Sequence, residues 1–432
     1  LGVADKLQLE KLYWGAQTMA EAGEREFATE VVRRLAAAGH EALFAGGCVR
    51  DELLGLQPDD YDVASSATPD EVRKLFRRSI AVGASFGVIE VLGPPGQKGP
   101  LKVQVATFRT DGDYADGRRP NSVIFGSARE DALRRDFTIN GMFLNPVTNE
   151  VLDYVGGRED LSAGYLRAIG DPEKRFEEDR LRLARAVRMA ARFNLKVDEG
   201  TSRAIKRHAS AIAVVSAERV ADELRKMLRH PNRAEAIQLL ESHCLLGAVL
   251  PELAEQAKSH ADHLPMVLAG LKELPARASF EMALAMVLTD CDASKAGSIG
   301  RRLKLANEER DQLQWLLANA RALDSSKSMS RHKLFPILSH IWVQGLLACA
   351  FARLKASNQP ATGLEHAVLL IETTPVDILN PLPLVNGADL QEAGILPGPV
   401  MGKLLRQLRD EQLDGFLATR EQSLERAMEL AK

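Results

Sequence analysis

Few cysteines, few aromatic residues and no long apolar run mark this 432-residue chain, and each shortage removes a class of protein. The four cysteines, Cys48, Cys244, Cys291 and Cys349, form no C-x-x-C pair and no metal-ligand spacing, so neither a disulfide framework nor a structural zinc site is expected. They read as reduced thiols in small apolar niches. No apolar stretch reaches the roughly 18 residues that a spanning helix needs, and the first residues lack the basic-then-apolar layout of a signal peptide. The expected location is the cytoplasm, without a membrane. Aromatics make up only 5% of the residues, while Leu, Ala, Arg and Glu abound, which favours helix over strand. Charge of one sign is missing too: 56 Lys and Arg stand against 59 Asp and Glu, a net charge of −3. That balance excludes a globally basic nucleic-acid binder but leaves room for a local basic cleft.

What is present is an ordinary globular composition, 45% hydrophobic and 27% charged, in a length that predicts more than one domain. Glu24 to about Ala38 reads as an amphipathic helix, followed by an apolar run from Ala42 to Ala45 that ends in Gly46-Gly47. Helix, strand and tight turn follow in that order. Between 79 and 109, two β-branched segments flank the Pro/Gly connection GPPGQKGP, which predicts a β-hairpin. The polar, aperiodic text of 110–127 predicts a long loop. From Arg175 onward helical periodicity dominates, broken at Pro231, Pro251, Pro265 and Pro275 and in the Pro-rich 376–400 stretch. The expected fold is an N-terminal α+β head on a helical remainder.

The residues that carry chemistry lie mainly in that head. In FAGGCVRDELLG, two glycines after a strand let backbone N–H groups approach an anion, and the next helix offers its positive end. Arg50, in the first helical turn, adds a guanidinium suited to polyphosphate. An ordinary tight turn would read the same, so the neighbouring DDYD matters. Asp60 and Asp62 are two apart, and in an extended chain residues i and i+2 share a face. Paired carboxylates with oxygen-only ligation suit Mg²⁺, which completes its shell with water and substrate phosphates. A phosphate cradle beside such a pair implies metal-assisted nucleotidyl or phosphoryl transfer. Further on, RRDFTIN gathers Arg134, Arg135, Asp136 and Asn140, a set suited to a ligand with phosphates and ribose hydroxyls. EEDRLRLARAVRMAARF reads as one helix over 177–193, on which Asp179 and Arg182, as i,i+3 neighbours, could present an acceptor and a donor fork to a base edge. A surface ion pair is the plain alternative.

Taken together, GGCVRD, the DYD pair, TFR…DGRRP, RRDFTIN and EDRLRLARAVR resemble, in order, the class II tRNA nucleotidyltransferases: bacterial CCA-adding enzymes and their poly(A) polymerase relatives in the polymerase β superfamily. SAERVADEL at 216–224 is similar to the family's last core motif. The resemblance implies a polymerase β-like nucleotidyltransferase head with a mixed sheet over 24–168, a helical neck over 169–230, a body over 231–375 and a tail over 376–432 that meets tRNA. It implies template-independent addition of C and A to the tRNA 3′ end from CTP and ATP, with Mg²⁺ as cofactor. Gly46, Gly47 and Arg50 would then hold triphosphate and Asp60 and Asp62 the metal. Arg135, Asp136 and Asn140 would handle phosphate and ribose, and Asp179 with Arg182 would select the base. Arg185 and Arg188 continue the family's arginine spacing. On an ideal helix turning about 100° per residue, Arg188 lies opposite Asp179, so it acts from a neighbouring face or holds the helix.

Two departures stand out. Gln104 occupies a position where the family commonly has Glu, so a three-carboxylate site is doubtful, with Glu90, Asp111 or Asp113 as possible helpers. Asp59 stands where a basic residue is common. Residues 261–291 are similar to an HD-domain segment with His263 at the first histidine position, but its His-Asp dipeptide has become Thr289-Asp290, which removes a hydrolytic metal site. In the tail, Lys403, Arg406, Arg409 and Arg420 alternate with acids, as on a solvated helix face. The alternatives to CCA addition are a poly(A) polymerase or A-adding enzyme, which shares every motif, and a non-catalytic RNA-binding scaffold. Relatives that stop after CC typically lack the loop present here from Arg109 to Pro120. No protein partner is implied.

Overall fold

The structure, a computed structural model, describes residues 22–83, 87–96, 99–111 and 123–431. The chain divides into two compact units, residues 1–227 with 236–249 and residues 228–235 with 250–432. Helix α1 (Ala22–Ala37) buries Ala28, Val31, Val32 and Leu35, the i, i+3, i+4, i+7 stripe of a surface helix, against the sheet.

That sheet is built from β1 (Ala42–Ala45), β2 (Asp62–Ser65), β3 (Ser79–Gly83), β4 (Val88–Gly96), β5 (Gly99–Thr107), β8 (Phe143–Asn145) and β9 (Glu150–Leu152). Its order is β3-β4-β5-β2-β1-β8-β9, and only β2 and β5 run parallel. A small ribbon pairs β6 (Arg109–Asp111) with β7 (Val123–Phe125). Every residue of β1 is buried, as expected for a central strand, and Phe108 packs edge-on to Phe143 at 5.8 Å within the core beneath the sheet.

The expected α+β head is present, with three local differences. The 79–109 hairpin contains a third strand, because β3 folds back on β4, and the Pro/Gly connection is largely absorbed into β4 and β5. The expected loop over 110–127 begins and ends as the β6/β7 ribbon; Asp113, the DGRRP segment and the Asp111 side chain lie outside what the structure describes. The helix expected over 177–193 is two helices, α4 (Pro172–Glu178) and α5 (Arg182–Phe193), with Asp179 extended at φ −146°, ψ 105° between them.

The described residues of the second unit are helical. Helix α8 (Phe280–Val287) is nearly all apolar, and it packs on α7 (His263–Glu273) and α9 (Val343–Ala356). Near the C-terminus, α10 (Pro399–Leu413) and α11 (Arg420–Leu430) share a small core of Leu390, Met401, Leu404, Leu408 and Ala427. Among the described residues no single helix is long and apolar enough to cross a membrane. The cysteines are free, but Cys244 is exposed rather than in an apolar niche. Burial pushes Cys48 and Cys349 up to about 12, which keeps both as thiols.

Candidate functional site

Strand β1 delivers the chain to Gly46, which sits at φ 76° and donates its N–H to Met142 O at 3.3 Å. A side chain there would be strained, and its Cβ would lie 2.9 Å from Arg135 Nη1. Gly47 opens the seven-residue helix α2 (Gly47–Leu53). Because β1 pairs antiparallel with β2, the end of β1 lies beside the start of β2, and Cys48 Sγ comes within 3.9 Å of Asp62 O. The glycine turn and the carboxylate pair therefore meet at one edge of the sheet.

Asp60 precedes β2 and Asp62 begins it. Alternation still holds: Tyr61 is buried, 5.1 Å from the Phe44 ring, while Asp60 and Asp62 face outward. Surrounding protein and then the Asp60 charge push Asp62 up to about 6, against the pull of Arg135. Asp60 is also raised, by its surroundings and then by Asp59 and Asp51. Two carboxylates that resist joint ionisation form a natural seat for a cation. The donors are oxygens only, so the pair fits a hard divalent ion that keeps water or phosphate in its shell. Register puts Gln104 opposite Asp62 and Glu90 opposite Gln104, but the Glu90 carboxylate pairs with Lys102 at 3.0 Å. Asp59 faces Arg192 at 3.3 Å, and the same guanidinium lies 3.7 Å from Asp51.

Behind the turn runs a connected polar network. Arg50 is 3% exposed, is paired with Asp51 at 2.6 Å, donates to Asn140 Oδ1 at 2.5 Å and stacks 4.1 Å from the Phe193 ring. Asn140 Nδ2 donates to Asp136 Oδ1 at 3.1 Å, and Asp136 Oδ2 accepts from Arg185 Nε and Nη2 at 2.9 and 2.5 Å. Burial would raise the Asp136 carboxyl, but Arg185, Asn140 and the Phe137 N–H hold it well below the usual carboxylate range. Arg135 pairs with Asp131 at 2.8 Å and donates to Asn140 O at 3.3 Å. Arg188, buried on α5, donates through Nε to Glu223 of α6 (Ala217–Arg229), 2.5 Å away.

The expected side-by-side pair of Asp179 and Arg182 is not formed. Asp179 accepts from Arg219 at 2.7 and 3.1 Å and from the Leu181 N–H at 3.0 Å, while Arg182 pairs with Glu178 at 2.5 Å. The cause is the break between α4 and α5, which removes the i,i+3 relation and also the ideal-helix argument that set Arg188 opposite Asp179. Sequence reasoning gave no role to Arg219 and Glu223, although both lie in the singled-out SAERVADEL segment; their spacing of four places them on one helix face. Asp131 and Phe193 were missed with no local signal.

Residues 42–167 match the "Poly A polymerase head domain", residues 194–256 the "Probable RNA and SrmB-binding site of polymerase A", and residues 278–428 the tRNA nucleotidyltransferase domain 2 family. The chain is 32% identical over 403 residues to a CCA-adding enzyme of Streptococcus mutans, covering 93% of this chain and 96% of that one. It is 40% identical over 248 residues to poly(A) polymerase I of Salmonella typhi, covering 55% and 52%. Among solved structures, the Bacillus stearothermophilus CCA-adding enzyme in complex with CTP matches at a TM-score of 0.76 and 28% identity, covering 94% of this chain and 97% of that one.

Proposed function

The chain belongs to the family of CCA-adding tRNA nucleotidyltransferases and bacterial poly(A) polymerases, and on that premise we propose that it adds C, C and A to the tRNA 3′ end from CTP and ATP, without a nucleic-acid template, releasing pyrophosphate. The observation that carries this reading is the meeting of the Gly46-Gly47 turn with the Asp60/Asp62 pair at one sheet edge. A divalent cation, Mg²⁺ by its preference for carboxylate and phosphate oxygen, would be held by Asp60 and Asp62 and would supply activation of the RNA 3′-hydroxyl and neutralisation of the phosphates.

The remaining work falls to this chain's own groups. The Gly47 N–H and the Arg135 guanidinium receive the triphosphate, at the turn that Gly46 opens with its positive φ. Arg50 is too enclosed to reach out; it acts through Asn140, which with Asp136 meets the ribose. Arg185 fixes Asp136, and Arg188 ties α5 to α6 through Glu223. Asp179 offers an acceptor to the exocyclic amino group that C and A share, and Arg182 offers the donors. Arg219 fixes the orientation of Asp179, and Glu178 that of Arg182. We assign the catalytic head to 24–168, the neck to 169–230, the body to 231–375 and the tail, as tRNA contact, to 376–432, in a bacterial cytoplasmic enzyme.

Incubation with Mg²⁺, labelled CTP or ATP and tRNAs ending before C, after CC and after CCA tests the reading. The expected products are completed CCA ends with no further growth. The 40% identity to a poly(A) polymerase over about half the chain favours a second reading, homopolymer A addition. Long A tails on any RNA 3′ end would select it, and no incorporation would leave an RNA-binding scaffold.

A further inference from the structure

Arg192, in the last turn of α5, stands beside Asp59, the residue next to the carboxylate pair. Among the described residues only its Nη2 meets acidic groups, Asp59 at 3.3 Å and Asp51 at 3.7 Å. Neither contact holds it firmly. Asp51 already pairs with Arg50 at 2.6 Å, and the Asp59 side chain is 81% exposed, where an ion pair contributes little. The Phe193 ring orients the guanidinium instead, with Arg50 at 4.1 Å and Arg192 at 5.1 Å from its centroid. Nε and Nη1 of Arg192 remain as donors in a planar fork, the geometry that matches phosphate oxygens.

A second cation reaches the same place. Segment 179–192 and α6 run in the same direction, because their contacts keep sequence order: Asp179 with Arg219, then Arg188 with Glu223. One turn further on, Arg192 of α5 and the exposed Lys226 of α6 come level with each other. The electrostatics agree. Asp60, raised by its surroundings and by Asp59 and Asp51, is pulled back by Arg192 and then by Lys226, whereas the cation that pulls on Asp62 is Arg135. The carboxylate pair therefore lies between Arg135 on the Asp62 side and Arg192 with Lys226 on the Asp60 side.

Nucleotidyl transfer needs both sides. The RNA 3′-oxygen bonds to the α-phosphorus roughly in line with the bond that breaks to release pyrophosphate. With the triphosphate held at Gly47 and Arg135, the RNA strand arrives from the Asp60 side and brings the negative charge of its last phosphodiester with it. On the reading of the head as a nucleotidyltransferase, we infer that Arg192, assisted by Lys226, binds the 3′-terminal phosphodiester of the RNA, and that Asp59 occupies Arg192 until the strand displaces it. Asp59 competes with RNA for this cation, so its neutralisation strengthens RNA binding.

The test neutralises the linkage as well as the residue. The full-length protein, with Mg²⁺ and an unreactive ATP analogue whose α–β bridge is a methylene group, is titrated in filter binding with tRNA ending in CC. The same tRNA with a methylphosphonate at its last linkage is titrated beside it. Wild type should bind the neutral linkage about fivefold to tenfold more weakly. Arg192→Ala should lose about that factor on the ordinary tRNA and nothing further on the modified one, with CTP affinity and melting temperature kept. Arg192→Lys, which keeps the charge, should still distinguish the two tRNAs, and Lys226→Ala should distinguish them less than wild type. Asp59→Asn should tighten ordinary tRNA at least about twofold and leave the modified tRNA unchanged. Equal binding of both tRNAs by wild type would overturn the inference. So would an Arg192→Ala protein that still distinguishes them or loses CTP as strongly as tRNA, or an Asp59→Asn protein with weakened RNA binding. A wild type that shows the linkage effect yet incorporates no nucleotide from CTP or ATP would instead sink the proposed activity and leave this contact standing.

Discussion

Asp60 and Asp62 share one face through a purely local relation, the alternation of one extended segment, which the buried Tyr61 between them keeps. Either Asp→Ala variant should abolish incorporation of C and of A while leaving tRNA affinity within about twofold, since RNA is held mainly through its phosphates. Filter binding beside a single-turnover assay checks this, and a parallel loss of affinity would move the pair out of catalysis. Asp136 makes the opposite case, because its meaning depends on Arg185, 49 residues away. Its carboxyl is held below the usual range in the folded state, so its stabilising contribution is present above the unfolded value of about 4 and is lost as pH falls through the folded value. Asp136→Asn should cost about 1–3 kcal/mol at neutral pH, because it removes the main partner of Arg185, which is a third exposed and keeps Glu223 at 3.9 Å. Thermal melts of both proteins from pH 7 down to about 3 should show the wild type losing stability in acid more steeply than the variant.

The division between α4 and α5 was not legible. The segment contains neither proline nor glycine, and its apolar spacing is helical throughout, so local propensity favours continuity. What opposes it is tertiary: Arg219 from α6 takes both oxygens of Asp179 at 2.7 and 3.1 Å, and Asp179 in turn accepts the Leu181 N–H just ahead of α5. The strand that carries Ala42–Ala45, by contrast, follows from an apolar run closed by a turn whose positive φ, at Gly46, favours glycine. If Asp179 reads the base edge, Asp179→Ala should reduce discrimination against UTP and GTP by about 1–3 kcal/mol with little change in melting temperature. Arg219→Ala should also change selectivity, because it frees the carboxylate from its fixed orientation. A purely structural ion pair would instead cost at most about 1 kcal/mol in either variant and leave nucleotide choice untouched. Incorporation rates for all four nucleotides, set beside melting curves, separate the two.

The broad plan of an α+β head followed by helices could be read from composition and periodicity, yet the way the chain is shared between units could not. Residues 228–235 group with the second unit, whereas 236–249 return to the first, so the chain crosses between units three times. No linker composition marks these crossings; they depend on which core receives each apolar face. The returning segment buries an apolar stripe, with Ile237, Leu240, Leu245, Leu246 and Val249 each no more than 2% exposed, and Leu246–Val249 packs on residues 209–214. Burying five such side chains stabilises by roughly 7–15 kcal/mol as an upper bound, comparable to the whole stability of a typical domain. A fragment of residues 22–249 should therefore fold cooperatively and bind CTP, whereas 22–227, which keeps every proposed nucleotide-binding residue, should fail to do both. Calorimetric titration with CTP and urea unfolding of the two fragments check this. If 22–227 binds CTP as well as 22–249, the returning segment contributes nothing to the head, and the nucleotide site is carried by the sheet and α5 alone.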